Sequence, residues 1–163
     1  MTLRFAYTRP DGGLSIVNAA PKEQLERVLG PLTDDQHRAH VIERSIPADA
    51  VNVQELADAW TPPDVDRTFR NAWKMTGATA SVDMPKARDI WREKMRRARG
   101  PLLKALDVET MKAIEAGDQA TMTAVAAKKQ ALRDITNDPA IEAAQTPAAL
   151  KLIWPAVLTG TPA

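Results

Sequence analysis

Apolar side chains recur at intervals of three and four residues after Asp83, and this spacing predicts an amphipathic helix. Asp83 can cap such a helix, and Pro85 suits its first turn. The repeating apolar positions are Ala87, Ile90, Trp91, Met95, Ala98 and Leu102. Because proline lacks a backbone donor, the Gly100-Pro101 pair predicts a bend or an interruption of this helix.

Two further helices are predicted downstream. The first follows Asp107, has Gly117 as its natural end, and carries Val108, Met111 and Ile114. The second begins at Asp118, which can cap it. Its inner face is predicted from Met122, Val125, Leu132 and Ile135.

Asn137-Asp138-Pro139 ends the third helix, and short helical pieces are predicted at about 139–144 and 147–152 before Trp154-Pro155. Short connections between helices favour antiparallel neighbours. Residues 84–155 are therefore predicted to form a helical hairpin or bundle, followed by a tail at 156–163.

The N-terminal part has the pattern of a small α+β unit. Residues 3–8 and 14–18 alternate apolar and polar side chains around a Pro-Asp-Gly-Gly turn, which predicts a β-hairpin. A helix is predicted after Pro21, a helical turn from Thr33, and a third strand at 41–46. Residues 1–57 are thus predicted to be a docking unit, and the whole chain is predicted to be α+β with a mostly helical C-terminal part.

Residues 58–83 show little periodicity but contain Trp60, Phe69 and Trp73. A flexible linker does not usually carry three large aromatic side chains, so this segment is predicted to be an ordered connector with a short helix near 64–74. Aromatic side chains are favoured anchors at protein interfaces. These three residues are therefore candidate interface residues.

The apolar share of the chain is 44%, but alanine supplies much of it and aromatic residues make up only 4%. Such a composition predicts a thin core that gains stability from a partner surface, and hence a homo-oligomer or a symmetric complex. The chain has no cysteine, which fits a reducing compartment and excludes disulfides, thiolate metal sites and a cysteine nucleophile. No signal peptide or membrane-spanning segment is predicted.

No sequence pattern indicates catalysis, a cofactor or a metal. His37 and His40 are the only histidines, and no third ligand stands at a diagnostic spacing. None of the three serines lies in a Gly-x-Ser-x-Gly elbow, and the glycine-rich phosphate-binding motifs are missing. We therefore expect a protein that is not an enzyme and that binds no cofactor or metal.

Basic residues are concentrated at 86–104, a segment that contains eight lysines and arginines but only two acidic residues. Four of them form a stripe at helical spacing: Arg88, Arg92, Arg96 and Arg99. Such a stripe can follow nucleic-acid phosphates or meet acidic residues of a protein. Because no aromatic platform interleaves with the arginines, a protein interface is the prediction and nucleic-acid binding the alternative.

The C-terminal half resembles a module of tailed-phage tail proteins, notably tail-fibre assembly proteins and the ends of some fibre-associated proteins. The resemblance covers about residues 88–155. Its motifs here are Arg92, Arg96 and Arg99, then Leu102-Leu103 and Leu106-Asp107, then Gln130-Ala131-Leu132-Arg133-Asp134, and finally Trp154-Pro155. Lys128-Lys129 departs from the pattern, which more often has an aromatic there. The opening YTRPDGGLSIV and the segment DRTFRNAW at 66–73 also resemble parts of small phage reading frames.

The resemblance implies a structural or accessory protein of the virion, made in the host bacterial cytoplasm. The partners would be other tail, fibre, portal or head-to-tail proteins. The first alternative is an assembly chaperone that is absent from the mature particle. The second alternative is a basic nucleic-acid-binding accessory protein. From the residues themselves, Arg133-Asp134 is expected to pair with Arg96, Arg99 or Asp107 across the helical hairpin.

Overall fold

The computed structural model describes residues 3–64 and 67–158, so the end of the predicted tail, from residue 159, lies outside the described residues. The chain is α+β, as predicted, and divides into two compact units, Met1–Asp83 and Met84–Ala163. The predicted connector at 58–83 belongs to the first unit. The five strands found in residues 3–64 and 67–158 are all in this unit.

A three-stranded antiparallel sheet of order β2-β1-β3 organises the first unit. The predicted hairpin is present as β1 (Arg4–Thr8) and β2 (Leu14–Asn18). Its turn is closed by Asp11, whose carboxylate accepts a 2.8 Å hydrogen bond from the Gly13 amide. The third strand, β3 (Val51–Glu55), pairs with the other edge of β1.

The predicted strand at 41–46 is wrong, because these residues continue helix α2 (Asp34–Ser45) apart from its C-cap, Ile46. Thr33 and Gln36 form a capping box, in which each side chain binds the other residue's backbone amide. This strong helix start outweighs the local strand preference of the β-branched residues. Helix α1 (Lys22–Leu29) begins after Pro21 and ends at Gly30, as predicted.

The helix predicted near 64–74 is also wrong, although residues 65–66 lie outside the described residues. A 3-10 turn at Arg70–Ala72 leads into a hairpin of β4 (Trp73–Thr76) and β5 (Thr79–Val82). The Asp64 carboxylate accepts a 2.8 Å hydrogen bond from the Phe69 amide, and Gly77 takes a positive φ in the hairpin turn. Both features favour turns over helix.

The second unit is built on α3 (Met84–Glu115), a single helix of 32 residues with Pro101 in its interior. The predicted break near Pro101 and the separate helix after Asp107 are therefore wrong. Helix α4 (Gln119–Asp134), capped by Asp118 as predicted, packs antiparallel on α3 and binds it on both sides of the proline. These contacts explain why the helix continues through the proline.

The chain then returns along the first half of α3. A 3-10 turn at Ile135–Asn137 is followed by α5 (Pro139–Ala143) and α6 (Pro147–Lys151), which match the two predicted helical pieces. The buried core of this unit includes Trp91, Met95, Val125, Leu132, Ile141 and Leu150. The proximal half of α3 thus lies under several short elements, whereas its distal half packs against α4.

Candidate protein-binding surfaces

Arg99 binds the C-terminal end of α4. Its Nη1 donates to the carbonyl oxygens of Leu132 at 3.2 Å and Arg133 at 2.8 Å. The last carbonyls of a helix lack intrahelical donors and form the negative end of its dipole. The guanidinium therefore satisfies these carbonyls with a cation and fixes α4 against α3.

Arg88 and Arg92 bind the segment that follows α4. Arg88 donates to the Ala144 carbonyl at 2.9 Å, and Arg92 donates to the Thr136 carbonyl at 3.4 Å. Both guanidinium groups also form ion pairs with Glu142 of α5. Two arginines thus hold the returning segment against the proximal half of α3.

The prediction that the arginine stripe is an interface with another protein needs correction for these three residues. Arg88, Arg92 and Arg99 contact their own unit, because the chain folds back onto the face from which they project. Arg96 is half exposed and pairs only weakly with Glu93, at 3.5 Å. In the part of the chain that the structure describes, it is the one member of the stripe that remains available at the surface.

The other motif residues of the helical unit also act as internal fasteners. The Trp91 indole donates a 2.7 Å hydrogen bond to the Ile153 carbonyl and meets the edge of Trp154, with ring centroids 5.3 Å apart. Lys129 pairs with Asp107 at 2.8 Å and donates to the Thr110 hydroxyl at 2.7 Å. The residue that departs from the phage pattern therefore joins α3 to α4.

The expected pairing of Arg133-Asp134 is wrong in detail. The Asp134 carboxylate accepts hydrogen bonds from Gln130, one helical turn earlier on α4. Arg133 contributes its backbone carbonyl to Arg99, and Asp107 is taken by Lys129. Arg99 does bind across the hairpin, but it donates to main-chain carbonyl oxygens and not to a carboxylate.

The ion pairs around Glu142 predict a pH dependence of stability. The hydrogen bond from Arg92 is the largest cause that lowers the pKa of Glu142, and the charges of Arg92 and Arg88 act in the same direction, while desolvation opposes them. A depressed pKa stabilises the fold above the pKa of the unfolded state, about 4.3 for a glutamate, and this contribution disappears as the pH falls through the folded-state pKa.

Glu142→Gln should therefore be less stable than the wild type at neutral pH, and the difference should close as the pH falls through the lowered pKa of Glu142 in the folded state. Urea unfolding of both proteins across this pH range measures the effect. Glu109→Gln, an exposed change on α3, is the control and should leave the pH profile unchanged. A constant gap between wild type and Glu142→Gln would contradict the assignment.

The candidate aromatic anchors belong to the interior of the first unit. Phe69 is fully buried. Trp73 is 3% exposed and lies in a cluster with Ala6, Leu14 and Leu56. Trp60 is half-buried and packs against the same cluster. The prediction that these aromatics anchor a partner is corrected for Phe69 and Trp73, because their side chains are already enclosed by their own fold.

Among the described residues, no group of three His, Cys, Asp or Glu side chains could hold a metal ion. His37 is buried, and its Nε2 lies 3.0 Å from the Ala20 carbonyl, so the ring donates a hydrogen bond to the loop before α1. His37 therefore has a structural role.

A pocket of about 530 Å³ lies beside His37, between α1, α2 and β3. Four of the charged residues in its wall form two ion pairs, Lys22 with Asp34 at 2.7 Å and Arg38 with Glu55 at 2.9 Å, and Glu23 and Asp58 also line it. The hydrogen bond from Lys22 is the main cause that lowers the pKa of Asp34. These two pairs join α1 to α2 and α2 to β3 beside the pocket.

Two further surfaces carry exposed apolar side chains, and neither was among the candidate interface residues predicted from the sequence. On α1, Val28 is 83% exposed and Leu29 is also exposed, and no residue of this helix is buried. On the distal half of α3, Val108, Met111 and Ile114 are all exposed. The spacing of these residues signals an apolar helix face, but a pattern alone does not tell whether the chain itself covers that face.

Comparison with known proteins finds no relative: no protein-family model matches the chain, and neither does any curated protein or solved structure. Within residues 3–64 and 67–158, no helix is long and apolar enough to cross a membrane.

Proposed function

We propose that this chain is a protein-binding component of a tailed-phage particle, attached at the tail, a tail fibre or the head-to-tail region. The exposed apolar face of α1 is the observation that carries the binding role. The resemblance of residues 88–155 to phage tail modules supports the phage setting.

Helix α1 is tied to α2 and to the loop that follows it, while Val28 and Leu29 face outward. Lys22 at its first turn pairs with Asp34 of α2, and the Glu26 side chain accepts a hydrogen bond from the Leu32 amide. Val28 and Leu29 nevertheless remain exposed. A fixed helix that presents large apolar side chains to solvent is suited to binding a protein, because their burial by a partner is favourable and needs little ordering.

The nucleic-acid alternative has less support. Three of the four stripe arginines donate hydrogen bonds to main-chain carbonyls within their own unit. Each would have to leave these partners before it could contact a phosphate. The chaperone alternative uses the same apolar surface and differs only in whether the protein stays in the particle.

The test replaces Val28 and Leu29 together with glutamate in the phage that encodes the protein. We expect the variant to fold, since both side chains are exposed, but to be depleted from purified particles by roughly tenfold or more, as for the loss of an interface hot spot. Quantitative mass spectrometry of particles measures this. Glu23→Gln, an exposed change on the opposite side of the same helix, is the control and should be incorporated normally.

Wild-type protein that is absent from finished particles but necessary for fibre attachment would support the chaperone alternative. Wild-type protein that is absent from purified particles, together with normal assembly and infection without it, would contradict both roles. Tight, salt-sensitive retention on DNA would favour the nucleic-acid alternative.

A further inference from the structure

The distal half of α3 carries a stripe of four exposed residues at spacings of four, three and four: Lys104, Val108, Met111 and Glu115. This is the spacing of the seam residues of a coiled coil, and it places all four side chains on one face of the helix. Val108 is 56% exposed and Met111 is 58% exposed. We call these four residues the α3 seam; exposed Ile114 lies beside it.

Helix α4 covers a different face of α3. That face is marked by half-buried Leu106 and Thr110 and by buried Ala113. Lys129 of α4 fastens it through Asp107 and Thr110. The α3 seam is therefore left exposed after the intramolecular packing of the hairpin is complete.

The ends of the seam have opposite charges. Lys104 stands at the N-terminal end and Glu115 at the C-terminal end, about 16 Å apart along the helix at 1.5 Å per residue. Within the described residues, neither side chain forms an ion pair. The apolar pair Val108 and Met111 lies between two charges that the unit itself does not neutralise.

This order of residues is complementary to itself when reversed. In an antiparallel pair of identical helices, Lys104 lies opposite Glu115 of the second copy, and Val108 lies opposite Met111 of the second copy. All four layers then match, with two ion pairs enclosing two apolar layers. A parallel pair would instead set lysine against lysine and glutamate against glutamate, which is unfavourable.

We propose that two copies of this chain associate in antiparallel orientation through the α3 seam. The proposal does not rest on the phage assignment, because it uses only the exposure, spacing and charge of these residues. The seam covers about three helical turns, so the interface is small and its dissociation constant should be micromolar or weaker. In a particle, high local concentration would favour such a contact.

Sedimentation equilibrium of the full chain between about 5 and 500 µM tests the proposal at the concentrations expected for a small interface. The wild type should show a reversible monomer–dimer equilibrium. Val108→Lys with Met111→Lys should abolish the dimer while the helical circular dichroism signal is kept. Lys128→Glu, an exposed charge reversal on α4, is the control and should dimerise like the wild type.

Orientation is tested by charge reversal. Lys104→Glu alone creates two glutamate layers in an antiparallel pair and should weaken dimerisation by about tenfold. The double variant Lys104→Glu, Glu115→Lys restores opposite charges in both layers and should recover the wild-type affinity. In a parallel pair the double variant still places like charges opposite each other, so its affinity would not recover. Failure of this rescue would therefore overturn the antiparallel arrangement.

Cysteine cross-linking gives a second measure of register, because the natural chain contains no cysteine. Mild oxidation of a mixture of Lys104→Cys and Glu115→Cys chains should link one kind of chain to the other. Links only between identical chains would indicate parallel pairing and contradict the proposal. A wild-type chain that stays monomeric over the whole concentration range would overturn it altogether.

Discussion

Trp91→Ala is expected to lower the free energy of unfolding of the helical unit by about 4 kcal/mol, within the range for large aromatic residues in protein cores. The Trp91 side chain is fully buried, contacts the edge of Trp154, and donates its indole hydrogen to the Ile153 carbonyl. The substitution removes all three contributions and leaves a cavity beneath the C-terminal segment.

Urea unfolding followed by far-UV circular dichroism measures this loss. Trp91→Phe keeps an aromatic ring but removes the donor and part of the buried ring volume, so it should cost less than Trp91→Ala. The loss of the hydrogen bond alone should cost about 1–2 kcal/mol, the usual penalty for an unpaired polar group. A loss below about 1 kcal/mol for Trp91→Ala would mean that the C-terminal segment is not packed on α3 as described.

Replacing Arg88 and Arg92 together with glutamate is expected to destabilise the helical unit by about 3 kcal/mol or more, since charge-assisted hydrogen bonds contribute about 1.5–3 kcal/mol each. The side chains of Arg88 and Arg92 are only 13% and 21% exposed. Both donate to main-chain carbonyls, and both pair with Glu142. The substituted glutamates would face that carboxylate and leave the carbonyls without donors.

Arg96→Glu with Arg97→Glu provides a matched control on the same helix, with an identical change of net charge. These side chains are 50% and 78% exposed, and among the described residues their ion pairs are with Glu93. We expect a change within about 1 kcal/mol, as for exposed ion pairs. Equal effects of the two double variants in urea unfolding would contradict the structural role assigned to Arg88 and Arg92.

Local signals in the sequence predicted much of the fold. The Pro-Asp-Gly-Gly turn gave the first hairpin, and Pro21, Thr33, Asp118 and Pro139 each begin or precede a helix where expected. The misassigned strand at 41–46 shows the limit of such reasoning. A short β-branched run has no fixed preference, and the capping box eight residues earlier decided its conformation.

The partners of the arginines could not be predicted in the same way. Arg88 binds a carbonyl 56 residues away, and Arg99 binds carbonyls 33 and 34 residues away. Every residue has a main-chain carbonyl, so the sequence does not show which carbonyls accept hydrogen bonds from arginine. An arginine stripe that binds its own chain therefore has the same sequence pattern as one that binds another protein. Burial of Phe69 and Trp73 likewise depends on how the β4–β5 hairpin folds over the first sheet.

The continuity of α3 through Pro101 has a consequence for local unfolding. Proline cannot donate to the carbonyl one turn earlier, so the helix ladder is weakest between its two halves. The proximal half is locked by Trp91 and the two arginines, whereas the distal half relies on α4. Amide exchange should therefore be fastest at the free end of the α3–α4 hairpin and slowest around Trp91. A second molecule bound at the distal half of α3 would slow amide exchange in the part of the unit that opens most easily.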